Sequence, residues 1–139
     1  MIAHVDSSVL LRLALKQARP LREFASVTRG ISSRLIRAES LRTLDRLFAL
    51  ESISEADQAR AAQFLFKAFD HLELIPVDPI LEVVGNPIGL KLGTLDGIHL
   101  FSALKWKQTT QLPLIMLTHD RSLAIAAERF GIQAAGAEQ

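Results

Sequence analysis

Four carboxylates, Asp6, Glu39, Asp96 and Asp120, stand at positions in this sequence where they could do chemistry together. Asp6 ends the β-prone run Ile2-Ala3-His4-Val5, and Asp120 lies just past the strongest apolar run, Leu114-Ile115-Met116-Leu117. Glu39 falls one turn into the helix expected after a second strand, and Asp96 near the start of a later helix. Polar residues at the C-terminal ends of parallel strands are the natural site positions of an open α/β sheet. Glu39 and Asp96 are embedded in apolar sequence, and Asp96 shares a helical arc with Gly93, His99 and Leu100, so part of its face turns inward. An unpaired inward carboxylate is expensive. Four that converge repel one another and raise their pKa values unless a cation sits among them. Hard oxygen ligands, with no cysteine and no histidine cluster, point to Mg²⁺ or Mn²⁺. One or two such ions can generate a hydroxide and clamp a phosphodiester for in-line attack. Each acid alone also has a plainer reading. Asp6 and Asp120 suit helix N-caps, and Glu39 could pair with Arg42 three residues on.

The elements that must position these acids alternate between strand and helix. After Ile2–Val5, Asp6 or Ser7 caps a helix through Leu15. Leu21–Val27 reads as helical between Pro20 and Gly30, and Ile31–Ser33 as a second strand. Leu35, Ala38, Leu41, Leu44, Leu47 and Phe48 recur at helical spacing. Ser54 caps a further helix running to about Leu72. Leu74–Val77 is a third strand, which Pro76 confines to the end or edge of a sheet. Asp78-Pro79 opens a short helix, proline being favoured in the first turn. A loop over 85–89 precedes a helix that Thr94 can cap, running to about Lys107. The strand at 114–117 leads to a helix from Arg121 to Phe130, stopped by Gly131. A weak strand, Ile132–Ala134, follows. Such alternation implies a parallel sheet covered on both faces, and residues 1–139 are expected to make one such domain on the usual ~100–200 residues per domain.

Composition removes several classes. With 49% hydrophobic and 22% charged residues, the chain is no disordered segment. Zero cysteines exclude a disulfide framework, a thiolate nucleophile and a zinc–thiolate site. No apolar run approaches the ~18–20 residues of a membrane span, and the N-terminus carries no basic and apolar leader. A cytoplasmic protein with no membrane contact is expected. The net charge of +1 hides an asymmetry: residues 1–46 hold nine basic and four acidic side chains, whereas 47–90 hold two and seven. A basic N-terminal third could face a polyanion, or simply solvent.

Four segments together resemble the PIN domain family, in particular its VapC-type ribonuclease toxins of toxin–antitoxin pairs. They are Val5-Asp6-Ser7-Ser8-Val9-Leu10, Ile31–Leu41, Leu92–Ala103, and Leu117-Thr118-His119-Asp120-Arg121-Ser122-Leu123 with Ala126-Ala127 and Gly131. The resemblance spans nearly the whole chain. It implies a three-layer α/β sandwich whose five-stranded parallel sheet runs in the order 3-2-1-4-5. It also implies Mg²⁺- or Mn²⁺-dependent RNA cleavage by a metal-activated water. The family's four acids match Asp6, Glu39, Asp96 and Asp120. Asp6 and Asp96 would be the primary metal ligands, Asp120 would bind directly or through water, and Glu39 would bind or orient the attacking water. Ser7 and Thr118 match hydroxyl positions beside the metal. Arg12, Arg34, Arg37, Lys91 and Arg121 are candidate phosphate contacts, and His99 and His119 could touch substrate or be structural. The implied partners are an RNA substrate, a small antitoxin protein and a second copy of the chain. Gly97 departs from the family's usual alanine after the third acid.

Other readings stay open. A PIN-fold module that has lost catalysis would keep the fold. A phosphohydrolase of the haloacid-dehalogenase type needs a second Asp two residues after the first, where this chain has Ser8. With no Tyr and a single Trp, base stacking has few platforms, so backbone and shape recognition of RNA is favoured.

Overall fold

The computed structural model describes residues 1–137. Five parallel strands form one sheet in the order β3-β2-β1-β4-β5, as the resemblance implied. Strand β1 (Ile2–Val5) is central. The chain moves outward through α1 (Ser7–Ala14), a 3₁₀ turn at 22–26, β2 (Arg29–Ser33), α2 (Leu35–Ala49), α3 (Glu55–Asp70) and β3 (Leu72–Ile75). It returns through α4 (Asp78–Val84) and α5 (Thr94–Thr110) to β4 (Ile115–Leu117), α6 (Arg121–Arg129) and β5 (Gln133–Ala135). The strand order therefore reverses between β1 and β4. That switch point is where an open α/β sheet leaves a crevice at the carboxyl ends of its strands.

Alternation along the strands separates two cores. Ala3, Val5 and Leu117 face α1, α2 and α3, packing with Leu10, Ile36, Leu44, Leu65 and Phe69. Ile31 and Met116 face the other way, with Leu100, Ala103, Trp106, Leu123 and Ile132. His4 shares this second face and meets the ring of His99 edge to face. Trp106, seven residues after His99, donates its indole N–H to Glu73 Oε1 at 3.1 Å, and Arg29 lies over its ring while pairing with the same carboxylate. This contact fixes α5 against β2 and β3, and thereby sets which α5 residues reach β1. No described helix is long and apolar enough to cross a membrane.

Local signals are realised where the sequence placed them. Asp6, Ser54 and Asp120 cap α1, α3 and α6 with their side chains. Gly131 takes φ 77° just past α6. Three expectations need correction. Thr94 is not a cap: Gly93 holds the N-cap position of α5 without a side-chain bond, and Thr94 is the first helical residue. That helix also continues to Thr110, ending where Gln111 turns left-handed at φ 58°. β3 begins at Leu72 rather than Leu74, because Gly30 of β2 pairs with Leu72; Pro76 falls directly after this edge strand. The glycine at 97 has a packing cause. A Cβ there would lie 2.8 Å from Val84 Cγ2, so alanine would have to displace the Val84 side chain that α4 packs against α5.

Candidate active site

The first strand delivers Asp6 to the switch point, where its backbone N–H donates to Leu117 O at 3.0 Å. Its two carboxylate oxygens have different fates. Oδ2 accepts from Ser8 N at 3.3 Å, Ser8 Oγ at 2.5 Å and Thr118 Oγ1 at 2.9 Å. Oδ1 is buried with no hydrogen-bond partner. The capping role and the site role thus coexist in one side chain. One oxygen starts the helix, and the other is left bare in the crevice. Ser8 occupies the place a haloacid-dehalogenase-type second Asp would need and serves Asp6 instead.

Glu39 arrives from the first turns of α2 and does not pair with Arg42, which bridges Asp45 on the helix surface. Its Oε1 accepts from the buried Ser7 hydroxyl at the start of α1. Its Oε2 accepts from His99 Nε2 at 2.9 Å. Burial alone would raise the Glu39 carboxyl. The hydrogen bond and charge of His99 and the Ser7 hydroxyl overcome it and hold the group below its ordinary value. His99 is fully buried, and burial favours its neutral form. The Glu39 hydrogen bond and the charges of Asp6, Glu39 and Asp96 win, so its pKa is raised.

Asp96 enters from the first turn of α5 and is half-buried. Burial, then the charges of Asp120, Asp6 and Glu39, push its carboxyl up to about 6. Asp120 caps α6 by accepting from Leu123 N at 2.9 Å. Thr118 Oγ1 accepts from Asp120 N at 2.9 Å while donating to Asp6, so one hydroxyl ties the two acids together. Among the described residues, the ligand atoms that lie within 4.8 Å of one another belong to Asp6, Glu39 and His99. Asp96 and Asp120 stand farther out, near enough to repel. The acids suit a divalent cation: Asp6 offers a bare buried carboxylate oxygen, and burial, then its neighbours' charges, push the Asp96 carboxyl toward protonation.

The basic residues divide. Arg34 sits where β2 meets α2 and Arg121 opens α6; both are exposed on the edge that carries the acids. Lys91 is exposed in the loop before α5. The Arg37 guanidinium lies over the Phe69 ring, 5.6 Å from its centre. Arg12 is in the last turn of α1, about 9 Å of helix rise from Asp6, and donates to Arg19 O at 3.4 Å. His119 donates its backbone N–H to Ser8 Oγ, and its Nδ1 lies 2.9 Å from Gly136 O, tying the loop after β4 to the end of β5. Gly136 takes φ 105°, and a Cβ there would lie 2.6 Å from Thr118 O, so only glycine passes this close to the site.

His99 is the site residue that sequence reasoning undervalued. Its signal was the inward arc shared with Asp96, yet a lone histidine on an apolar helix face reads the same in a core and in a site.

Comparison with known proteins adds to the geometry. No protein-family profile matches the chain. Over 104 residues it is 33% identical to Ribonuclease VapC46 of Mycobacterium tuberculosis, an alignment covering 72% of each protein. The crystal structure of PAE2754 from Pyrobaculum aerophilum superposes with a TM-score of 0.62 over 96% of this chain and 83% of that one; at 20% identity it speaks to the fold alone. With Asp6, Glu39, Asp96 and Asp120 gathered around one switch point of a 3-2-1-4-5 sheet, the chain belongs to the VapC-type ribonuclease toxins of the PIN domain family.

Proposed function

We propose that this protein is a Mg²⁺- or Mn²⁺-dependent endoribonuclease, the toxin of a toxin–antitoxin pair acting in the cytoplasm. The observation that carries the reading is Asp6 Oδ1, buried and without a hydrogen-bond partner beside Glu39 at the switch point. Asp6, Glu39, Asp96 and Asp120 would hold the cation. When bound, it supplies Lewis acidity toward a water and a phosphodiester oxygen. Asp6 is oriented by Ser8 and Thr118, which occupy Oδ2 and leave Oδ1 without a hydrogen bond beside Glu39. Ser7 orients Glu39, which would bind the cation or align the attacking water. The N-termini of α1, α2, α5 and α6 open on this edge, and those of α2 and α5, which carry no side-chain cap, would offer backbone N–H groups to a phosphate. Arg34 and Arg121, exposed on that edge, would pair with flanking phosphates; Lys91, Arg37 and Arg12 would act farther along the strand. The partners of this reading are RNA, a small antitoxin and a second copy of the chain.

Two experiments test it. Purified protein should cleave single-stranded RNA with Mn²⁺ or Mg²⁺ and stop in EDTA. Millimolar Mn²⁺ should raise the melting temperature, since a ligand at ~100 times its Kd stabilises by about 2.7 kcal/mol. Full cleavage in EDTA with no thermal shift in Mn²⁺ would refute the metal-dependent reading. Expression of the chain alone should arrest bacterial growth, and co-expression of the small protein encoded beside it should restore growth. Asp6→Ala should be harmless. Growth unaffected by high expression of the wild-type chain argues for a PIN-fold nuclease outside toxin–antitoxin biology.

A further inference from the structure

Beneath the carboxylates, on the core side, lies a chain of side chains that the proposed chemistry leaves without a task. His99 is fully buried, and three strands and helices grip its ring. Nε2 lies 2.9 Å from Glu39 Oε2 of α2 and 3.8 Å from Asp6 Oδ1 beyond β1. Nδ1 lies 3.3 Å from Ser33 Oγ at the end of β2, itself fully buried. The ring edge meets His4 of β1, with centroids 5.6 Å apart and planes at 76°. A side chain held on every side cannot follow an incoming ligand; it can only hold something else in place.

We propose that His99 is a positioning residue that fixes Glu39 for cation binding, with Ser33 fixing His99, and that His99 is not itself a cation ligand. The inference rests on the metal-dependent reading above. Its first support is direction. A cation on Nε2 would lie along the ring's N–H axis at about 2.1 Å, and that axis is filled by Glu39 Oε2. The second support is division of labour. Ser7 holds Glu39 Oε1 and His99 holds Oε2, so both oxygens of one carboxylate are pinned while each keeps a lone pair. Asp6 Oδ1 lies beyond hydrogen-bond reach of the same ring and stays bare. Thirdly, the Nε2–H bond does not depend on the ring's charge. Ser33 Oγ donates to Nδ1 of a neutral ring and accepts from a protonated one, and in both cases Nε2 keeps its hydrogen. Because His99 follows Asp96 by three residues on the same helix face, the contact also ties the first turn of α5 to α2. Partners that orient metal ligands in this way typically contribute about 10–100-fold in metal affinity.

The test is Mn²⁺ binding to the full chain, read by calorimetry and by pulsed electron paramagnetic resonance, for wild type, His99→Leu, His99→Gln and Ser33→Ala. His99→Leu should weaken Mn²⁺ binding roughly 10–100-fold. His99→Gln, whose amide N–H can still reach Glu39, should recover affinity to within a few-fold of wild type. Ser33→Ala should fall between them. The Mn²⁺ spectrum of wild type should show no directly coordinated nitrogen-14. A strong nitrogen-14 coupling in wild type would make His99 a ligand and overturn the proposal, as would unchanged affinity in His99→Leu. If His99→Leu fails to fold, the wild-type spectrum and the glutamine rescue decide. Wild type that binds no Mn²⁺ at all overturns the metal-dependent reading itself, an outcome distinct from any difference among the variants.

Discussion

Asp96→Asn is expected to abolish RNA cleavage while raising the melting temperature of the metal-free protein. The substitution keeps size and hydrogen bonding but removes a charge from a site whose work is to hold a cation. Several kcal/mol of electrostatic stabilisation depend on such a charge, so the loss should reach ~10²–10³-fold at 1.36 kcal/mol per decade. The stability change follows from the raised carboxyl. Asp96 titrates near 6 in the folded chain against 3.8 ordinarily, because of burial first and then Asp120, Asp6 and Glu39. The folded state therefore takes up this proton before the unfolded state does. The penalty of ionised Asp96 is absent below about pH 4, develops between 4 and 6, and is complete above 6. The side chain is half-exposed, so solvent screening cuts the nominal cost to about 1 kcal/mol, or a few degrees in Tm. Asn at 96 should thus stabilise at pH 8 and not at pH 4. Saturating Mn²⁺ should reverse the order, stabilising wild type more. Asp78→Asn, at an exposed acid opening α4, should change neither cleavage nor stability. Near wild-type turnover in Asp96→Asn, or equal Tm gains at pH 4 and pH 8, would remove Asp96 from the site.

His4→Leu is expected to make the protein more resistant to acid. His4 is fully buried in the central strand between Ile31 and Met116, and neither ring nitrogen has a hydrogen-bond partner. Burial, and then the charge of His99, hold its pKa well below the usual histidine value of 6.5. The ring stays neutral in the folded chain and takes a proton in the unfolded chain. Its effect is absent above pH 6.5 and grows as pH falls, at up to about 1.4 kcal/mol per pH unit. Between pH 6.5 and pH 5 that amounts to at most roughly 2 kcal/mol, a large share of a typical domain's stability. Leucine has a similar volume and no nitrogens to leave unpaired, so it removes this slope. It forfeits the ring contact with His99, worth about 0.5–1.5 kcal/mol, which offsets part of the gain at pH 7. Denaturant melts of the two proteins across pH 5–7.5, in EDTA, measure the difference. Stability curves that run parallel from pH 7.5 to pH 5 would show that His4 is hydrated or paired in solution.

The sequence by itself determined which residues could be the site and which local elements would carry them. Asp6, Ser54 and Asp120 sit two or three residues from the backbone N–H groups they cap, so those helix starts were legible from a few neighbours. The helical periodicity of α2 and α3 and the stop at Gly131 are equally local. Four acids in family-like segments, at strand ends and helix starts, marked the edge where chemistry would occur. What the tertiary structure alone decided are relations between residues far apart in the chain. Glu39 meets His99 across sixty residues, and Thr118 meets Asp6 across more than a hundred. No pattern within one helix distinguishes a histidine that packs from one that holds a carboxylate. Only the pairing of β2 with β1, and the anchoring of α5 through Trp106, bring Ser33, Glu39 and His99 into register. The glycine at 97 looked like a departure until α4 supplied Val84 against it. The division of Asp6 into a saturated oxygen and a bare one arises for the same reason. Ser8, two residues on, satisfies one side, the arrival of β4 with Thr118 completes it, and nothing among the described residues hydrogen-bonds the other.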